Sequence, residues 1–200
     1  MILAVALTGG LATGKGFVGQ VFVELGCHRL DADQLGHQAL APSGEAYPDV
    51  VRLFGHSILD AHQAIDRRKL AALVFPDPAR LHSLNAIVHP AVERLRLARI
   101  AEIAKTDPNA IVICEAAIYI ETGALSRFHK VVLTVCGRQR QIERAMARSG
   151  WSRAETEARL ARQWPDSMKQ KFADFVIDTS VSFDDSRRQT AEVYNRLRGL

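Results

Sequence analysis

The chain opens on a short apolar, β-rich run, ILAVALTGG, that ends in glycines. KGFVGQVFVELG follows with apolar residues at helical spacing and a glycine stop at Gly26. Strand, glycine-rich loop and helix are the first piece of a βαβ unit. CHRLDAD reads as a second strand that ends in acidic residues. From Gln34 to about residue 105 no convincing strand occurs, and helical stretches are punctuated by APSGEAYP, FPDP and HP. NAIVICEAAIYI and KVVLTVCG are near-continuous apolar runs, the pattern of strands covered on both faces. After Gly137 the chain turns helical and arginine-rich as far as about Lys171. ADFVID then predicts a last short strand, and SRRQTAEVYNRLRGL a closing amphipathic helix. The expected architecture is α/β: a parallel, doubly wound sheet of about five strands, with a helical insertion after the second strand and a basic helical segment before the last. No repeat, low-complexity tract or flexible linker interrupts it.

Composition changes this picture little. Two hundred residues suffice for one compact domain with room for a lid or insertion. The net charge of +4 rests on 26 basic against 22 acidic residues, spread along the chain rather than gathered in a run. A small anionic substrate accounts for that surplus, and no aromatic–basic interleaving suggests nucleic acid. Cys27, Cys114 and Cys136 are widely spaced in apolar stretches, which predicts buried free thiols rather than disulfides or a zinc site. MILAVAL lacks a basic flank and runs straight into the glycine-rich loop, so it reads as a strand rather than a signal peptide. No apolar run reaches the length of a membrane span, and a cytoplasmic protein without membrane partners is expected.

The chemistry begins at the first loop. Gly9, Gly14 and Lys15 complete the pattern G-x-x-x-x-G-K between a strand and a helix. Successive backbone N–H groups of such a loop cradle phosphate at a helix N-terminus, and Lys15 would reach the β- and γ-phosphates. Gly9, Gly10, Leu11, Ala12, Thr13, Gly14, Lys15 and Gly16 are therefore the expected nucleotide contacts. The alternative is a turn that merely joins strand to helix, which needs neither the lysine nor these glycines. Position 16 departs from the pattern, because Ser or Thr there places a hydroxyl on the nucleotide's magnesium. Magnesium keeps several waters and can take one more, so the cost would fall on metal affinity and phosphate alignment. The Thr13 hydroxyl is expected to serve phosphate or the loop's own backbone, not to replace the missing ligand.

In open α/β sheets ligands bind beyond the carboxyl ends of the strands. LDAD puts Asp31 and Asp33 there, on one side if the segment stays extended. Asp33 is a candidate base for an attacking hydroxyl, or alternatively the N-cap of the next helix. Glu115 lies inside an apolar strand, where a carboxylate is costly unless paired or engaged with metal through water. Glu121 closes the same segment. Arg144 and Arg148 stand four apart on one helix face and could close together on ATP, unless they simply form a solvated basic face.

VALTGGLATGKG, LDADQLGHQAL, DRRKLAALVF, LNAIVHPAVE, QIERAMAR, ARLARQWP and ADFVIDTS together resemble the dephospho-coenzyme A kinase family. The likeness runs in order along nearly the whole chain. It implies a P-loop three-layer α/β/α fold of the nucleoside-monophosphate-kinase type, and transfer of the γ-phosphate of ATP to the ribose 3′-hydroxyl of dephospho-CoA, with Mg2+. It further implies a single kinase domain over residues 1–200, with a nucleotide-binding core at 1–33, 106–137 and 173–200. A helical acceptor-binding insertion would span 34–105, and a lid 138–172. By position, Asp33 matches the proposed base, Arg67 and His89 the acceptor region, and Arg144, Arg148, Arg159 and Gln163 the polar positions of the lid. Lys15, Asp33 and Arg144 are the implied catalytic set; Asp33, Arg67, His89, Glu115 and Arg159 the implied acceptor contacts. An acid-paired surface arginine at 67, or a helix-start histidine before Pro90, would look the same. No residue is assigned as a metal ligand, and the partner implied is a small molecule; nothing in the sequence indicates an oligomeric state.

Three departures from the family pattern stand out. Gly16 replaces Ser or Thr, EAAIYIE replaces D-x-P-L-L-F-E over 115–121, and Thr179 replaces Asn in ADFVIDTS. Glu115 is long enough to reach through water toward a magnesium that lacks the residue-16 hydroxyl. The main expectation is an active kinase. The alternative is a divergent member that binds nucleotide but is weakly active or uses another hydroxyl acceptor, as a sensor or regulatory module.

Overall fold

The seven residues Leu3–Gly9, almost all buried, form β1, and both its neighbours in the sheet are strands from much later in the chain. A computed structural model describes residues 1–200. After β1 come α1 (Lys15–Glu24), β2 (His28–Asp31), α2 (Ala32–Ala39), α3 (Tyr47–Phe54), α4 (Arg67–Val74) and α5 (Pro78–Thr106). The second half contains β3 (Ile111–Glu115), β4 (Lys130–Val135), α6 (Arg138–Ser149), α7 (Arg153–Leu160), α8 (Asp166–Lys169), β5 (Phe175–Asp178) and α9 (Phe183–Arg198). The five strands stand in the order β2-β3-β1-β4-β5. β1 pairs in parallel with β3, at Leu7↔Glu115, and with β4, at Gly9↔Thr134. The order reverses around β1, so the loop that leaves its carboxyl end opens at the switch point where such sheets bind ligands.

Two compact units share the chain: residues 1–30 with 103–200, and residues 31–102. In the first, Val5, Leu7, Ile113, Val132 and Ile177 from the sheet pack with Val18 and Phe22 of α1 and Val193 and Leu197 of α9. Ile120, Leu133 and Val135 form a smaller apolar cluster. Both sheet faces are thus covered, which explains why the strands read as continuous apolar runs. In the second unit, Val50, Ile58, Leu59, Leu70 and Val74 form one core, and Ala39, Ala46 and Ala91 a close-packed second one.

Cys27, Cys114 and Cys136 are all buried and free. Burial pushes the Cys27 thiol up to about 12, and burial is also the main cause that raises Cys136.

The chain departs from the sequence pattern at two places. HP does not punctuate: α5 runs unbroken through Pro90 for 29 residues. Pro90 cannot donate to the carbonyl of Ala86, but both residues are exposed, so water can satisfy that carbonyl. The other departure is the end of β3 at Glu115. Ala116 N–H still reaches Leu7 O at 3.1 Å, but β1 then passes into the loop, and residues 117–123 form turns.

Those turns are anchored by a buried charge. Lys169 of α8 has no solvent exposure, and its Nζ lies 2.7 Å from Glu121 Oε1. The contact is an ion pair rather than an aligned hydrogen bond, and Glu121 Oε2 is buried without a partner. Removing one member of such a pair leaves an uncompensated charge. Lys169→Met is therefore expected to lower unfolding stability by about 3 kcal/mol in urea denaturation, and adding Glu121→Gln to recover a substantial part of it.

Candidate functional site

The loop between β1 and α1 folds against its own backbone. Gly14, the N-cap of α1, has φ +86°, and Ala12 is left-handed at +56°. Left-handed residues at alternate positions turn successive amides toward a common concavity, the geometry of an anion nest. Glycine is the natural residue at 14; Ala12 holds the same region at a cost of about 1 kcal/mol. Lys15 Nζ donates to the carbonyls of Gly9 at 2.9 Å and Gly10 at 3.0 Å, so its charge sits over the start of the loop.

Threonines hold the loop from beneath. Thr13 Oγ1 donates to Gly10 O at 2.9 Å and shares a 2.7 Å hydrogen bond with Thr134 Oγ1 of β4. Its hydroxyl is thus spent on the loop's backbone and on β4. Thr179, after β5, donates to Thr13 O at 2.9 Å. Arg144 of α6 in turn donates to Thr179 Oγ1 at 3.0 Å and Thr179 O at 2.7 Å. Arg144 therefore reaches the loop through Thr179.

Gly16 is exposed, and a Cβ placed there would meet nothing within 4 Å. The missing hydroxyl is absent by residue choice, not through any steric demand of the fold.

Glu115, expected to reach toward metal, is held elsewhere. Its Oε2 accepts from Arg29 Nε at 3.0 Å and lies 2.6 Å from Arg29 Nη2. Gly19 on α1 makes room for this pair, since a Cβ there would fall 2.9 Å from Arg29 Nε. Asp33 is not the N-cap. Asp31 caps α2, accepting from Asp33 N at 2.8 Å, so the segment turns helical at Ala32 instead of staying extended. The Asp33 side chain is exposed in the first turn. In the same unit Arg67, exposed at the start of α4, lies 2.6 Å from His37 Nε2, and His89 is exposed within α5 rather than at a helix start. Arg148 is exposed on α6, one turn beyond Arg144. Arg159 of α7 stacks over Trp151, 4.0 Å from the ring centroid.

The family profile for dephospho-CoA kinase matches residues 3–185. A Geobacter sulfurreducens dephospho-CoA kinase is 38% identical over 191 residues, 95% of this chain and 96% of its own length. One from Geobacillus kaustophilus is 36% identical across 100% of this chain and 99% of its own. A crystal structure from Thermus thermophilus superposes with a TM-score of 0.84 at 33% identity, covering 98% of this chain and 97% of that one. The chain belongs to the dephospho-CoA kinase family.

Several residues around this dephospho-CoA kinase-like loop carried no motif. Arg29 and Asp166 gave no signal, and Gln141 stood only as the first residue of the Q-x-x-R-x-x-x-R run. Thr134 had a detectable one: it is the single polar residue in the apolar run from Val131 to Val135, and it is fully buried. Asp166, at the start of α8, is half-buried. Burial raises its carboxyl above the ordinary aspartate range, and the positive charges of Lys169 and Lys15 partly offset this. A carboxyl raised on folding contributes stability below its unfolded pKa, and that contribution is lost as pH rises through the folded value. Asp166→Asn is thus expected to raise the melting temperature at neutral pH, the gain shrinking as pH falls through the raised folded value and vanishing below the ordinary aspartate range. Thermal unfolding of both proteins across pH checks this.

Proposed function

We propose that the protein is an ATP-dependent phosphotransferase that converts dephospho-CoA to coenzyme A at the ribose 3′-hydroxyl, with magnesium, in the cytoplasm. The observation that carries the reading is the Lys15 loop at the switch point of a sheet whose sequence matches one kinase family nearly end to end. Phosphoryl transfer needs positioning and positive charge more than covalent chemistry. In this reading the amides of residues 9–16 hold the phosphates and Lys15 neutralises charge on the terminal ones. Arg144, Arg148 and Arg159 supply further charge from the lid segment. Asp33 accepts the proton of the attacking hydroxyl, and Arg67 and His89 belong to the acceptor-binding region.

When bound, magnesium would supply neutralisation of phosphate charge. No group of three or more His, Cys, Asp or Glu gathers to hold a metal, and position 16 offers no hydroxyl. Phosphate oxygens and water fit that donor set. A second reading, a weakly active nucleotide-binding member or one with another hydroxyl acceptor, is favoured by Gly16 and by the altered 115–121 segment.

Purified protein with ATP, magnesium and dephospho-CoA is expected to form 3′-phosphorylated product. Asp33→Asn is expected to lower kcat by about a hundredfold or more. Tight ATP binding without turnover would sink the reading, and near-normal turnover of Asp33→Asn would sink the base assignment. Gly16→Ser fits without displacing a neighbour. It is expected to lower the magnesium concentration at half-maximal rate several-fold, by about 1 kcal/mol of added metal affinity. An unchanged magnesium curve would show that position 16 is irrelevant to the metal.

A further inference from the structure

Both backbone polar groups of one loop residue, Leu11, are held by glutamines of the arginine-rich helical segment. Leu11 N–H donates to Gln163 Oε1 at 2.8 Å, just after α7. Gln141 Nε2, from the first turn of α6, donates to Leu11 O at 3.0 Å. The chemistry of the partners fixes which end of each amide is engaged: an N–H needs the oxygen of Gln163, and a carbonyl needs the nitrogen of Gln141. Gly10 supplies an independent sign of how close this approach is. A Cβ there would lie 2.4 Å from Gln141 Nε2 and 3.5 Å from Gln163 Oε1. Gln141 is itself buried, with 6% of its surface exposed.

The peptide held in this way lies beside the loop's charge. Gly10 O, which precedes Leu11 N in the same peptide unit, accepts from both Lys15 Nζ and Thr13 Oγ1. Since the loop lysine serves the β- and γ-phosphates, Leu11 lies at the terminal-phosphate end of the loop. We propose that Gln141 and Gln163 are positioning residues that set the Leu11 peptide, and with it the terminal-phosphate end of the loop, from the two feet of the lid segment. The inference rests on the phosphate-binding part of the reading above. Any displacement of α6 or of the residues after α7 would thereby be transmitted to the loop backbone beside Lys15. The two residues act with opposite polarity, Gln163 as acceptor and Gln141 as donor.

That polarity supplies the test. Glutamate keeps an acceptor but loses the donor, so Gln163→Glu preserves its contact and Gln141→Glu destroys it by facing a carboxylate to a carbonyl. Melting temperatures without nucleotide are expected to rank Glu above Leu at position 163 and Leu above Glu at 141, with losses of about 3 °C for each broken bond. Titration with ATP and magnesium, without acceptor, is expected to show about tenfold weaker binding for Gln141→Leu and Gln163→Leu. The same rank order at both positions, or ATP affinity unmoved by both leucine variants, would overturn the proposal. Neither readout needs turnover. An unaltered protein that fails to phosphorylate dephospho-CoA while showing these results would overturn the enzymatic reading and support this one.

Discussion

The structure around the site depends on satisfying the backbone of one short loop. Five residues, 10–14, lie between β1 and α1, where neither a sheet ladder nor a helix supplies regular partners for their backbone polar groups. The fold answers with side chains brought from far along the chain. Thr134 reaches up from β4, Thr179 from beyond β5, Gln141 from α6 and Gln163 from beyond α7. The central place of β1 in the sheet lets one loop meet elements from both later halves of the chain. Left-handed conformations at 12 and 14 are tolerable because these contacts over-determine them.

Arg144 shows how the same network joins charge to scaffold. Two of its donors are committed to Thr179, whose hydroxyl is committed to Thr13 O. An arginine so tethered is pre-oriented, and less side-chain entropy remains to be lost in any further contact it makes. Arg148, exposed one turn away, has no such tether. Two arginines with the same spacing signal thus begin from different entropic positions.

Much of this was legible in the sequence, for identifiable reasons. β1, the loop, α1 and β4 announced themselves because hydrophobic periodicity and glycine placement agree there. Lys15 was legible because its spacing has a mechanical purpose. Residues that act through tertiary partners were not. Arg29 is an ordinary strand arginine until Glu115 is brought beside it by the β2-β3-β1 order. Glu115 looked available because burial, rather than its partner, could be read from the run around it. Pro90 looked like a stop because the exposure of Ala86, which makes an interior proline tolerable, depends on how α5 packs. Asp33 looked like the cap because CHRLDAD reads as extended throughout; the strand yields to helix two residues earlier, and Asp31 takes that place.

The open space beside Gly16 has a consequence for how such a protein can change over generations. Every other small residue of the loop whose neighbours crowd it is bound to the fold, so replacing it disturbs packing before it alters chemistry. Gly10 is the plain case, with a glutamine nitrogen where a methyl would go. Position 16 has no such debt. A lineage can gain or lose a hydroxyl there in single steps, in either direction, without a compensating substitution elsewhere. The side chain at position 16 is therefore a trait on which selection can act independently of foldability.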